Sequence, residues 1–155
     1  MGTPAENGVE AWHDLLRNLS EERLEAMLAE DVVFHSPVVH TPQVGKALTK
    51  LYLMAAFNVF PGGSESGTKS GSGGDADRMS QSKFQYVREV VGQNDAVLEF
   101  LTEVDGIVIN GVDMIRWDEA GKIVDFKVMI RPLKAIQKIH GQMAKMLEAL
   151  KPKSE

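Results

Sequence analysis

Apolar residues recur at three- and four-residue spacing early in the chain, at two-residue spacing through its second half, and at helical spacing again near its end. Val9, Trp12, Leu15, Leu16 and Leu19 make one helical set, and Leu24, Met27 and Leu28 make a second, shorter one. Between them, Ser20 followed by Glu21, Glu22 and Arg23 reads as an N-cap with first-turn carboxylates, which marks a restart of the helix. Asp31 to Ser36 (DVVFHS) is β-branched and aromatic and predicts a strand, after which Pro37 and Pro42 bracket a loop that carries His40. A third helix is predicted over Lys46 to Phe60, stopped by Pro61 and two glycines. Its apolar residues wrap most of the circumference, so it is expected to be buried on more than one side.

Gly62 to Gly74 (GGSESGTKSGSGG) has too little apolar content to support a packed element, and a flexible loop is predicted at about 61–81. Beyond Ser80 the period becomes that of strands: Phe84 to Gly92, Ala96 to Val104, Ile107 to Trp117 and Ile123 to Ile130. Gly92-Gln-Asn-Asp, Asp105-Gly106 and Asp118-Glu-Ala-Gly121 supply turn chemistry at hairpin spacing, so an antiparallel meander is the economical topology. Leu133, Ile136, Ile139 or His140, Met143, Met146 or Leu147, and Leu150 mark one face of a closing helix whose other face carries lysines. Helices leading into a strongly curved antiparallel sheet make an α+β fold.

With 155 residues, 43% of them hydrophobic, the chain suits one domain, 1–155, with a single sizeable core. Its 17 basic against 22 acidic residues (net −5) argue against nucleic acid as a partner, which needs a concentrated basic patch. There is no cysteine, so disulfides and thiolate metal sites are unavailable, and no histidine lies at ligand spacing with a carboxylate; neither a metal nor a cofactor is expected. The start, MGTPAENG, lacks a basic stretch followed by an apolar run, and no segment reaches the length of a membrane span. A cytoplasmic protein without a membrane partner is expected.

Candidate chemistry centres on Asp113, a carboxylate set among apolar residues of a predicted strand. A strand buried on one face points a carboxylate inward only where a cavity, a partner or a chemical task accepts it. His35 and His40 flank Pro37 and could serve as bases, although alternation places Phe34 and Ser36 on one strand face and turns His35 to the other. Glu99 and Glu103 share a face with Val97 and Leu101; a paired-carboxylate site is conceivable there, and a solvated or inter-subunit face is the commoner explanation.

These patterns resemble the nuclear transport factor 2-like (NTF2-like) superfamily, also called SnoaL-like, in which a curved sheet and helices form a cone around an internal pocket. The most specific parts are LAEDVVFHSP and VDMIRWDEAGKIVDF. Around Asp113 the chain is most similar to ketosteroid isomerase: an Asp, two apolar residues, Arg, an aromatic residue, then Asp-Glu-x-Gly and Ile. The resemblance implies that Asp113 stays protonated in an apolar pocket and donates a hydrogen bond to a developing oxyanion. It also implies that Ile109, Ile115 and Trp117 lie on the pocket side of that strand, and Phe126, Val128 and Ile130 on that of the next. At the position of the isomerase's general base this chain has Ser36, and at its first-helix tyrosine it has Trp12. The polyketide cyclases of the superfamily use an aspartate late in the last strand, where this chain reads VMIRP. Asp31, Tyr52 and His35 loosely resemble the residue set of scytalone dehydratase.

The resemblance and the alternation together assign a pocket wall. It takes Trp12 and Leu16 from the first helix, Phe34 and Ser36 from the early strand, Tyr52 and Phe57 from the third helix, and Phe100, Ile115, Phe126 and Val128 from the sheet. The expected ligand is a small hydrophobic organic molecule, and a homodimer through the outer sheet face is expected. Three roles stay open on sequence alone. They are a binding module; a cofactor-independent isomerase, dehydratase or cyclase working through Asp113; and an assembly domain with a filled cavity.

Overall fold

The computed structural model describes residues 2–60 and 84–150. The Gly/Ser-rich loop expected at about 61–81 lies outside the described residues.

Helix α1 (Pro4–Arg17) starts where Thr3 and Glu6 cap each other: the Glu6 backbone N–H donates to Thr3 Oγ1 at 3.0 Å and the Thr3 N–H to Glu6 Oε1 at 3.1 Å. Its apolar stripe buries Val9, Trp12 and Leu15. Helix α2 (Glu21–Met27) restarts at Ser20, whose Oγ accepts from the Arg23 N–H at 3.2 Å. It runs straight into strand β1 (Leu28–His35), which begins three residues before the sequence pattern placed it. Leu28 fits helical spacing, yet it pairs with Ile123 across the sheet and is almost fully buried there, so tertiary pairing overrides local preference. Strand β2 (Gln43–Val44) pairs antiparallel with β1 inside what reads as a loop; two residues carry no period to detect. Helix α3 (Lys46–Val59) follows Gly45, whose φ of 109° needs glycine and whose N–H donates to the Val32 carbonyl at 2.8 Å.

Strands β3 (Gln85–Val91), β4 (Asp95–Val104), β5 (Ile107–Trp117) and β6 (Ile123–Arg131) form the antiparallel meander, and helix α4 (Leu133–Leu150) closes the described chain. Asp105 and Gly106 both take positive φ (51° and 81°), the two-residue turn that matches strand twist. The strand order is β2-β1-β6-β5-β4-β3. β1 lies parallel to β6, so the sheet is mixed rather than wholly antiparallel as expected from the meander alone. It is curved and unclosed, an α+β cone of the NTF2-like type with four helices among the described residues.

Alternation decides what the concave face receives. Along β4 the even positions from Ala96 to Val104 are buried, and along β5 the odd positions from Ile109 to Trp117, Asp113 among them. Gly111 sits opposite Phe100, and a Cβ at that glycine would lie 2.6 Å from the end of the Phe100 ring, so the missing side chain is what lets the ring lie flat on β5. Gly8 does the same for Trp117, whose indole rests against the α1 backbone. No described helix is long and apolar enough to cross a membrane.

Candidate functional site

Between the concave face and the helices lies a hollow of about 70 Å³ with an opening to solvent. All six phenylalanines of the chain line it (Phe34, Phe57, Phe60, Phe84, Phe100 and Phe126), together with Trp12 and Tyr86. Leu16, Leu53 and Val128 complete the interior, and Ile139 and Met143 of α4 stand on another side. No Lys, Arg or His is among the described residues that line it, and Asp113 is the one carboxylate. Apolar walls with a few placed polar groups are the usual form of a small-molecule site.

The polar groups form a chain. Trp12 Nε1–H donates to the Tyr86 hydroxyl at 3.1 Å, and Tyr86 donates to Asp113 Oδ2 at 2.6 Å. An indole N–H has no acceptor capacity, so this end fixes the direction: Tyr86 must accept from Trp12 and direct its own proton elsewhere. Asp113 is 7% exposed. Burial raises its carboxyl from the ordinary 3.8 to about 7, against the opposing pull of the Tyr86 hydrogen bond, which favours the ionised form. Burial also pushes the Tyr86 phenol well above its usual range, with the nearby Asp113 charge adding to the shift.

Tyr86 is the polar residue of the hollow that sequence reasoning missed. It occupies edge strand β3, whose other residues are exposed, and the strand's pattern of charged and valine side chains gave no inward face. The available signal was the alternation Phe84-Gln85-Tyr86. That alternation breaks at once: Tyr86 pairs with Phe100 but Arg88 pairs with Glu99, so Val87 is an extra residue in the ladder, a β-bulge.

Of the residues assigned to the pocket wall, Trp12, Leu16, Phe34, Ser36, Phe57, Phe100, Phe126 and Val128 line the hollow with Asp113. Tyr52 and Ile115 do not. Tyr52 packs behind Phe34 with ring centroids 5.4 Å apart, and Ile115 is filled in on all sides by the core. Neither histidine reaches it. His35 turns to the outer face, as alternation requires, with Nε2 at 3.1 Å from Asp125 Oδ2; His40 is exposed on the loop before β2. Ser36 faces the hollow, but its Oγ accepts from the Val38 and Val39 backbone N–H groups at 3.0 and 3.4 Å, a local turn rather than a general base. Glu99 lies on the outer face, bonded to Arg88 at 3.1 Å and to Asn110 at 3.1 Å, and the Asn110 hydrogen bond leads the effects that hold its carboxyl below the usual range. Among the described residues no three His, Asp or Glu side chains converge as a metal site would require.

Curved sheet, capping helices and an aromatic hollow with one buried carboxyl define a cone-fold protein with an internal pocket. No protein-family model matches the chain, and no curated protein matches it in sequence. Among solved structures it is similar to a steroid delta-isomerase from Pseudomonas aeruginosa, at 29% identity and a TM-score of 0.77 over 96% of this chain and 95% of that one. It is also similar to an uncharacterised bacterial protein with a cystatin-like fold from Silicibacter pomeroyi (26% identity, TM-score 0.67, 92% and 83% of the two chains). An NTF2-like protein of unknown function from Mesorhizobium loti shares the fold at 16% identity, with a TM-score of 0.59 over 85% and 97% of the two chains. The chain shares the fold of the NTF2-like proteins.

Proposed function

We propose that the hollow binds a small, uncharged, largely apolar ring compound and that Asp113, in its protonated form, donates a hydrogen bond to a carbonyl or hydroxyl oxygen of that compound. The observation that carries this reading is the Tyr86–Asp113 pair, 2.6 Å apart and enclosed by aromatic side chains. A carboxyl held at about 7 by burial keeps its proton in about half the molecules at pH 7 and in most at pH 6, and can then donate, whereas an ordinary aspartate there is only an acceptor. The lack of any basic side chain in the described lining disfavours anionic ligands, which would meet Asp113 with no compensating cation.

Isomerisation is the second reading, favoured by the similarity to the steroid delta-isomerase. Proton transfer between carbon atoms needs a base beside the ligand, and the described lining offers Ser36 where the isomerase has its aspartate. Binding without rapid turnover therefore fits the side chains better. The same reading has two copies meeting through the outer sheet face, where Val90, Val108 and Met129 are 59%, 59% and 48% exposed.

Binding of 2-tetralone and of its parent hydrocarbon tetralin to the wild type and to Asp113→Leu, followed by calorimetry at pH 6, tests the proposal. The wild type is expected to prefer the ketone, and the variant to lose that preference by about tenfold, the worth of one buried hydrogen bond, while holding the hydrocarbon as before. Equal preference in both proteins would remove Asp113 from the site. Incubation with a β,γ-enone in the same buffers separates the two readings: conversion to the conjugated enone that disappears in Asp113→Leu would establish the isomerase.

A further inference from the structure

Beside Tyr86, α1 and β3 are joined by a pair of side chains that the binding reading does not use. His13 Nε2 lies 2.6 Å from Glu89 Oε2, and the two side chains are 29% and 32% exposed. The His13 ring also meets the Tyr86 ring nearly at right angles, with centroids 5.4 Å apart. Because a carboxylate only accepts, His13 Nε2 carries the proton of this bond, whichever charge the imidazole bears.

The bulge at Val87 makes this arrangement possible. In an unbroken strand Tyr86, Arg88 and Val90 would share one face. With Val87 inserted, Arg88 pairs with Glu99 on the outer face, and Glu89 pairs with Leu98, whose side chain is buried on the concave face. Tyr86 and Glu89 therefore become successive inward residues, and Glu89 meets α1 at His13, the residue next to Trp12, which donates to Tyr86. Among the described residues, edge strand β3 has hydrogen-bonded strand neighbours on one side only, so its placement over the hollow depends on what else holds it.

We infer that His13 and Glu89 are positioning residues: their bond clamps bulged strand β3 to α1 and thereby holds the Tyr86 hydroxyl on Asp113. This rests on the reading of Tyr86 and Asp113 as the polar end of the ligand site, but its test needs no ligand. Neither residue touches the hollow. Their effect on it passes through the Tyr86 ring and the register of β3.

The test is the titration of the Asp113 carboxyl carbon by NMR in the wild type and in His13→Phe, Glu89→Ala and Glu89→Gln. The Tyr86 hydrogen bond lowers the Asp113 pKa, so loosening it raises that value. His13→Phe keeps a ring against Tyr86 but removes the bond, and Glu89→Ala removes the acceptor; both are expected to raise the Asp113 midpoint by about half a unit to two units, the range for a weakened or lost bond to a charged group. Glu89→Gln keeps an acceptor oxygen and should leave the midpoint where it is in the wild type. A purely electrostatic influence would behave differently, because Glu89→Ala deletes a negative charge and would lower the midpoint. Unchanged or lowered midpoints in His13→Phe and Glu89→Ala, or a Glu89→Gln shift equal to that of Glu89→Ala, would overturn the inference. Both side chains are partly exposed and α1 keeps its buried Val9, Trp12 and Leu15, so the variants fold; near-ultraviolet circular dichroism checks this.

Discussion

Asp113→Asn is expected to remove a contribution of roughly 4 kcal/mol to the fall in stability between about pH 4 and pH 7, the part that the raised Asp113 carboxyl implies. Below the ordinary value of 3.8 both the folded and the unfolded chain hold the Asp113 proton, and the group contributes no pH dependence. Between 3.8 and about 7 only the folded chain holds it, so unfolding releases a proton and rising pH favours the unfolded state, by about 1.4 kcal/mol for each pH unit. Above about 7 both states are ionised and the difference stays constant at its full size. Asparagine cannot ionise, and its side-chain oxygen still accepts from Tyr86, so the packing of the site is preserved. Urea unfolding of both proteins in steps from pH 3.5 to pH 8.5 isolates the contribution as the difference between the two curves. Parallel curves would mean that Asp113 titrates like an aspartate in water and is no hydrogen-bond donor at neutral pH.

Trp12→Ala is expected to cost about 3–5 kcal/mol, the range for deleting a large aromatic side chain from a core. The indole is 2% exposed and packs against Phe57 and Phe126 with ring centroids 5.9 and 5.1 Å apart. Its loss would merge a new cavity with the hollow and leave the Tyr86 oxygen without its donor. Trp12→Phe keeps a six-membered ring in the core while deleting the N–H and the rest of the five-membered ring; a smaller loss than that of Trp12→Ala is expected, of which about 1 kcal/mol is the hydrogen bond. Denaturant midpoints of the two variants at pH 6 provide the comparison. A Trp12→Ala cost below that of Trp12→Phe would show that the indole is not part of the packed core.

How far the sequence carried depends on the range of the signal. Alternation in β4 to β6 needs only neighbouring residues, and so the inward set that includes Phe100, Asp113 and Phe126 was legible from the pattern. The parallel pairing of β1 with β6 joins residues some ninety positions apart, and nothing local in Leu28 or Phe34 encodes it. Tyr52 and Ile115 fit the periodicity of the pocket face and still fall outside the hollow, because a period assigns a face and not a depth. Tyr86 escaped for a third reason. Its strand is an exposed edge, and one bulged residue reverses the parity of all that follows, which is also why Glu89 rather than Arg88 turns toward α1. The assignment of Ser36 and Trp12 to the isomerase's base and tyrosine positions came from resemblance, and Trp12 does reach the site, although through Tyr86 rather than by direct contact with Asp113.

The measurement that bears most directly on the central claim is an NMR titration of the ¹³C-labelled protein with 2-tetralone at pH 6. The account predicts saturable shifts of the Asp113 carboxyl carbon and the Trp12 indole N–H that follow one binding curve, with ring signals of Phe57, Phe100 and Phe126 moving on the same curve. Shifts confined to surface residues, or an Asp113 carboxyl signal that does not move up to the solubility limit of the ketone, would contradict it.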